Sequence, residues 1–257
     1  MSDYFSRDLL MPILERLPAK SLFRFRHPNV VVLWVPFIQI FLTLSEPSLP
    51  DSISVSGLHC YAHGLGYSRP KDDYKVVRLV YLMSEDDTSV ILSCQDEVYS
   101  LRTRRWKRIN GPMIWASQTL SPAYVNGVIH WTCLGALLLF DVSDKVFCKM
   151  KLPNGLTLRA IAACNGSLLA FDYEYELRIC GPWVMKEYGV VESWMRHTVI
   201  FYPDWMIRGP VPLSFSNNRE LLASTRAGEL LFCDRRPLEK KKLGDLYVDK
   251  CFESLYI

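Results

Sequence analysis

The 257-residue sequence lacks both a long apolar run and a strong charge of either sign. Its longest apolar stretch, Val30 to Leu44, is 15 residues and contains Pro36 and Gln39. A membrane-spanning helix needs roughly 20 consecutive apolar residues. A buried segment is expected there, and no membrane association. Net charge is +3, too near neutral to point by itself to nucleic acid or an anionic membrane. The eight cysteines include no C-x-x-C pair, and Asp3, Arg7, Asp8, Glu15 and Arg16 interrupt any secretory leader. Both features predict a reducing cytoplasmic or nuclear setting, with the cysteines as small buried hydrophobes. Enzyme motifs are missing too: there is no glycine-rich phosphate loop, no H-E-x-x-H pair and no G-x-S-x-G elbow. His59, Cys60 and His63 lie close together but lack a fourth ligand at structural-zinc spacing, so no metal is expected.

Two unlike textures are present. In residues 1–26, Leu9, Leu10, Ile13, Leu14 and Leu17 recur at helical steps. Ser6 can cap that helix and Asp8 suits its positive end. Pro12 either delays the helix start or kinks it. Pro18 then opens a second short helix through Leu22 and Phe25, which His27-Pro28-Asn29 ends. The hairpin either packs on its own domain or offers an apolar patch to a partner. Residues 27–58 read as an atypical linker.

From about residue 59 to 257 the texture is short β runs with turn punctuation. Tyr74 to Tyr81 and Val90 to Leu92 read as strands around the polar turn Glu85-Asp86-Asp87. Asn126-Gly127 between Ala123–Val125 and Val128–Trp131 is a hairpin signal, and Asn165-Gly166 repeats it. Asn217-Asn218 precedes a further apolar run. Trp183 and Trp194 bracket a polar, glycine-containing connection, predicting two strands with aromatic anchors. Tyr99, Phe140, Trp183 and Phe232 mark comparable arms, roughly 40–50 residues apart. That step with several strands per unit is a propeller-blade signature. About four units are counted, few for a closed ring, and a β-sandwich stays open as an alternative. The expected fold is mainly β, an incomplete antiparallel β-propeller-like repeat behind a short helical segment.

These residues resemble a known family. Ser6-Arg7-Asp8-Leu9-Leu10, Ile13 to Leu22 and Phe25-Arg26 resemble the first half of a plant F-box. Gly64-Leu65-Gly66-Tyr67, Asp72 to Arg78, Val98 to Leu101, Trp106, Asn126-Gly127 with His130-Trp131, Phe140-Asp141 and the Trp183 to Trp194 segment resemble the F-box-associated, kelch-related domain of the same proteins. Phe252 to Leu255 fits that domain's last strand. The resemblance implies a substrate receptor of an SCF-type cullin–RING ubiquitin ligase. Leu9, Leu10, Ile13, Leu14, Leu17, Pro18, Leu22 and Phe25 would face the Skp adaptor or form the F-box core, and the β domain would hold a target protein. Chemistry would be done elsewhere in the assembly, so no catalytic residue and no cofactor are implied. A second reading is a protein-binding module that has lost adaptor binding. A kelch-fold oxidase would need histidine and tyrosine copper ligands, which five dispersed histidines do not suggest.

Target contacts are expected in exposed loops. Trp115 in the 110–115 loop, and Tyr202 and Trp205 in the 201–205 loop, are the candidates, because aromatic clusters form binding hot spots. His130 reads as a strand residue. The basic run Arg102, Arg104, Arg105, Lys107 and Arg108 reads as a solvated outer hairpin, with no nucleic-acid partner expected.

Overall fold

The computed structural model describes residues 23–27, 30–35, 40–44, 58–84, 86, 90–117, 122–164, 166–174, 179–196, 200–201, 211–215, 221–224 and 230–233. Residues 1–22, with Leu9, Leu10, Ile13, Leu14, Leu17, Pro18 and Leu22, lie outside them, as do Tyr202, Trp205 and the last strand expected at Phe252 to Leu255.

Nineteen strands among the described residues form five sheets, each made of strands in chain order with antiparallel neighbours. Sheet 1 holds β1 (Phe23–His27), β2 (Val30–Val35) and β3 (Ile40–Thr43). Sheet 2 holds β4 (Leu58–Ser68), β5 (Asp73–Met83), β6 (Ile91–Ser100) and β7 (Arg105–Ile109). Sheet 3 holds β8 (Ala123–Val125), β9 (Val128–Cys133), β10 (Ala136–Asp141) and β11 (Val146–Lys151). Sheet 4 holds β12 (Ala160–Cys164), β13 (Ser167–Glu174), β14 (Ile179–Met185), β15 (Trp194–Arg196) and β16 (Ile200–Phe201), the last two both paired with β14. Sheet 5 holds β17 (Val211–Phe215), β18 (Leu221–Ser224) and β19 (Leu230–Cys233). First strands gather: β12 lies beside both β8 and β17, and β4 lies beside β9. Successive meanders meeting along their inner strands is a propeller-like arrangement.

The aromatic arms find their explanation here. Tyr99, Phe140, Trp183 and Phe232 all lie in the third strand of their own sheet. The Asn126-Gly127 hairpin joins β8 to β9 with both residues at positive φ, 51° and 83°, as a type I′ turn requires. Cys164 pairs with Ser167 across the next expected hairpin, with Gly166 at φ 75°.

Three expectations are corrected. Residues 23–27 are a strand, not the end of a helix: Phe23 pairs with Leu33 and Phe25 with Val31. Phe-Arg-Phe-Arg alternates with the period of two that a strand needs, opposite a β-branched valine run. The same pairing puts β2 and β3 inside residues 27–58, so that stretch contributes a sheet where a linker was expected. Of four free cysteines, Cys148 is exposed on β11, whereas Cys60, Cys94 and Cys133 are half-buried.

Sheet 3 is covered on both faces, which is why β10 reads as an unbroken Ala-Leu-Leu-Leu-Phe run. Leu138 and Phe140 pack with Val77, Leu79, Tyr81 and Trp131 between sheets 2 and 3. Leu137 and Leu139 pack with Ile161, Leu168, Met185 and Trp194 between sheets 3 and 4. Ala62, Gly64 and Gly66 put only small residues on the face of β4 turned to sheet 3. A Cβ on Gly64 would lie 2.7 Å from Ile129 Cγ2, and one on Gly66 would lie 2.9 Å from the Tyr124 ring. The glycines therefore admit large rings against bare backbone. Trp131 Nε1 donates to the His63 carbonyl at 2.8 Å, and Tyr124 Oη to the Tyr67 carbonyl at 2.5 Å.

Candidate recognition surface

The Trp183–Trp194 segment is built around a serine. Met185 pairs with Trp194, closing a connection over residues 186–193. Ser193 Oγ accepts from the Glu187 amide at 3.0 Å and lies 2.8 and 2.7 Å from the Glu187 and Val190 carbonyls. Gly189 takes φ 87° with open space where a Cβ would sit. The turn throws Tyr188 back across sheet 3, where its hydroxyl meets His130 Nε2 at 3.0 Å. The two rings stand edge to face, 5.7 Å apart.

His130 Nδ1 is 3.2 Å from the Ala123 carbonyl. A carbonyl only accepts, so Nδ1 carries the proton and Nε2 accepts from Tyr188. Burial lowers the His130 pKa to about 4 and pushes Tyr188 up to about 12. Neither exchanges a proton near neutrality. The pair ties two sheets together, so His130 is a strand residue with a structural hydrogen bond, as read from the sequence.

Beside this tie a groove of about 600 Å³ separates β10 and β11 from the 188–192 turn. Val128, Leu139, Met150, Tyr188 and Val191 line it, with Lys149, Lys151 and Glu192 among the charged residues. Cys148 and Asp141 also line it, and its apolar residues can accommodate an apolar side chain.

Trp115 is half-buried and stacks on Tyr81, with centroids 5.5 Å apart. Tyr81 Oη donates to the Ile114 carbonyl at 2.9 Å and accepts from the Ala116 amide at 3.1 Å. The Trp115 loop is thus clamped onto sheet 2. Trp115 is not among the residues that line the groove beside the sheet 4 turn.

Several buried charges escaped the sequence reading. Arg78 and Glu97 pair at 3.5 Å, both essentially inaccessible, and the Arg78 guanidinium stands 4.8 Å from the Tyr61 ring centroid. Lys75 Nζ donates to the Val142 carbonyl at 2.9 Å. Asp172 takes Trp183 Nε1 at 3.2 Å and Arg196 at 3.4 Å. Asp96 accepts from Cys94 Sγ at 3.2 Å while its Oδ2 has no partner, and burial raises its pKa to about 6. Alternation could not reveal them: β5 is buried along its whole length, and Asp96 and Glu97 are neighbours at buried positions of β6. Among the described residues no group of three or more His, Cys, Asp or Glu side chains is placed to hold a metal ion.

The basic hairpin differs from these. Arg102, Arg104, Arg105, Lys107 and Arg108 are all exposed, while Trp106 between them is buried against Tyr99, ring centroids 5.2 Å apart.

Comparison with known proteins agrees with this architecture. F-box protein CPR1 of Arabidopsis thaliana is 28% identical over 244 residues, covering 82% of this chain and 57% of that protein. An F-box/kelch-repeat protein of the same plant is 25% identical, with the same two coverages. Another Arabidopsis F-box protein is 26% identical over 200 residues, covering 67% of this chain and 49% of its own. The chain thus spans about half the length of the curated relatives it matches. The model of the F-box associated beta propeller domain matches residues 22–242, every described strand included. The chain is a member of the plant F-box-associated β-propeller domain family.

Proposed function

We propose that this protein is the substrate-recognition subunit of an SCF-type cullin–RING ubiquitin ligase. Its N-terminal segment would grip a Skp-type adaptor and through it the cullin, and its β domain would hold a target protein for ubiquitination. The single observation carrying this reading is the family match over residues 22–242, in a chain whose relatives are F-box proteins. The site chemistry supports a binding role. His130 and Tyr188 are tied to each other as a structural pair, and the distinctive surfaces are a groove with a largely apolar lining and an exposed basic edge. On this reading the protein is non-catalytic and works in the cytoplasm or nucleus.

The adaptor-facing set is Leu9, Leu10, Ile13, Leu14, Leu17, Pro18, Leu22 and Phe25. One observation favours the second reading, a target-binding module uncoupled from the ligase: Phe25 belongs to β1. Co-precipitation with purified Skp adaptor separates the two. A receptor retains the adaptor, and L9D/L14D abolishes retention while leaving the thermal melt of the β domain unchanged. An uncoupled module retains target but no adaptor.

A further inference from the structure

We propose that the basic edge of sheet 2, the hairpin Arg102–Arg108 with strand β7, docks an extended acidic segment of a partner protein as an added strand. Strand β7 ends its sheet: it pairs with β6, and no other described strand pairs with it. Its outer backbone N–H and C=O groups are a template for strand addition. Side chains alternate across a strand. Arg105 and Lys107 therefore stand on one face of this edge and Arg108 on the other. All three are exposed, with Arg102 and Arg104 beside them at the turn. Five cations in seven residues, with no carboxylate among them, repel one another and gain from an opposite charge.

The domain supplies no such charge. Among the described residues none of the five cations forms an ion pair, and the carboxylates nearest in register are engaged or buried. Glu97, opposite Arg108, pairs with buried Arg78. Asp96, opposite Ile109, is buried beside Cys94. Asp73 accepts from Ser100 Oγ at 2.7 Å and from the Arg102 amide at 2.9 Å, which fixes the turn. With Trp106 anchored on Tyr99, the edge is held in place before any partner arrives, which lowers the ordering cost of binding.

A charged edge also keeps identical edges apart. That accounts for one or two lysines on an edge strand, not for cations on both faces and around the turn. A strand with acidic side chains opposite Arg105 and Lys107 would place opposite charges at cross-strand distance, roughly 5 Å.

The inference names the partner chemistry of the recognition domain and rests on the receptor reading. Its test contains no adaptor, so the two fail separately. Anisotropy of a fluorescein-labelled peptide alternating glutamate with valine is measured against the whole chain. The comparison probes are the same peptide N-methylated at alternate residues, a lysine–valine peptide and an oligothymidylate of equal charge. The expected result is binding of the acidic peptide, and weaker binding once N-methylation blocks strand pairing. R105E/K107E/R108E should lose about tenfold or more in affinity, with the effect shrinking at high salt. K149E/K151E, a reversal of two cations on the edge strand of sheet 3, should bind as the native chain does. R105Q/K107Q/R108Q carries the same test if charge reversal disturbs folding. The proposal is overturned if the acidic peptide fails to bind, if N-methylation is without effect, if K149E/K151E weakens binding equally, or if oligothymidylate binds more tightly.

Discussion

At the scale of single residues, three buried titratable groups set how stability depends on pH. Burial lowers His130 to about 4 and His63 to about 3, both from 6.5, and raises Asp96 from 3.8 to about 6. A lowered histidine contributes stability above 6.5 that is lost as pH falls toward its native value. A raised carboxyl does the reverse, and its contribution is lost as pH rises through 6. Between about pH 6 and 4 the unfolded chain holds protons on two histidines while the native chain holds one on Asp96. Acid therefore destabilises the fold on balance. Asp96→Asn removes the opposing group. Thermal melts should show it more stable than the native chain at pH 7, by on the order of 2 kcal/mol. The difference should vanish below about pH 4. A variant less stable at pH 7 would show that ionised Asp96 is held by a partner. Gly64→Ala drives a methyl into Ile129 and Trp131. Over-packing of this kind costs about 1–3 kcal/mol by denaturant titration, whereas Gly155→Ala meets open space and is limited only by its φ of 83°. The glycines of Gly64-Leu65-Gly66-Tyr67 were visible in the sequence. Their reason was not, because Trp131 and Tyr124 reach them from strands more than fifty residues away.

At the scale of elements, the Trp183–Trp194 segment behaves as the sequence suggested, two strands with aromatic anchors around a glycine-containing connection. The sequence did not reveal that its Tyr188 crosses to another sheet, since a cross-sheet hydrogen bond leaves no local pattern. Tyr188→Phe leaves His130 Nε2 without its donor and should cost about 1 kcal/mol, with circular dichroism unchanged. Ser193→Ala removes the hydroxyl that organises the 187–193 turn and should raise amide exchange across it, leaving β9 and β10 protected. Equal exchange in both sheets would show that the turn is held otherwise. Residues 23–43 were misread because long valine-rich runs say buried without saying how. Only the alternation Phe23-Arg24-Phe25-Arg26 pointed to a strand, and the helical pattern before it overrode that signal.

At the scale of the whole molecule, the repeat was legible because each sheet restates the same aromatic arm on its third strand. The sheet count was short by one, since the aromatic of sheet 1's third strand, Phe41, falls in the apolar run that was read as a linker. Surface features were legible in part: Trp115, favoured as a loop aromatic, is half-buried and stacks on Tyr81, and the basic hairpin is exposed, as a solvated face is. Repeated sheets joined through inner strands are the architecture of the F-box associated beta propeller domain, whose model the chain matches, and on the proposed reading that body holds a target while the N-terminal segment grips the adaptor. The most direct test of this account is co-elution of the purified chain with a preformed Skp adaptor–cullin complex on size exclusion. An equimolar complex, lost in L9D/L14D, is the predicted result. Separate elution of the native chain from the adaptor–cullin complex would contradict it.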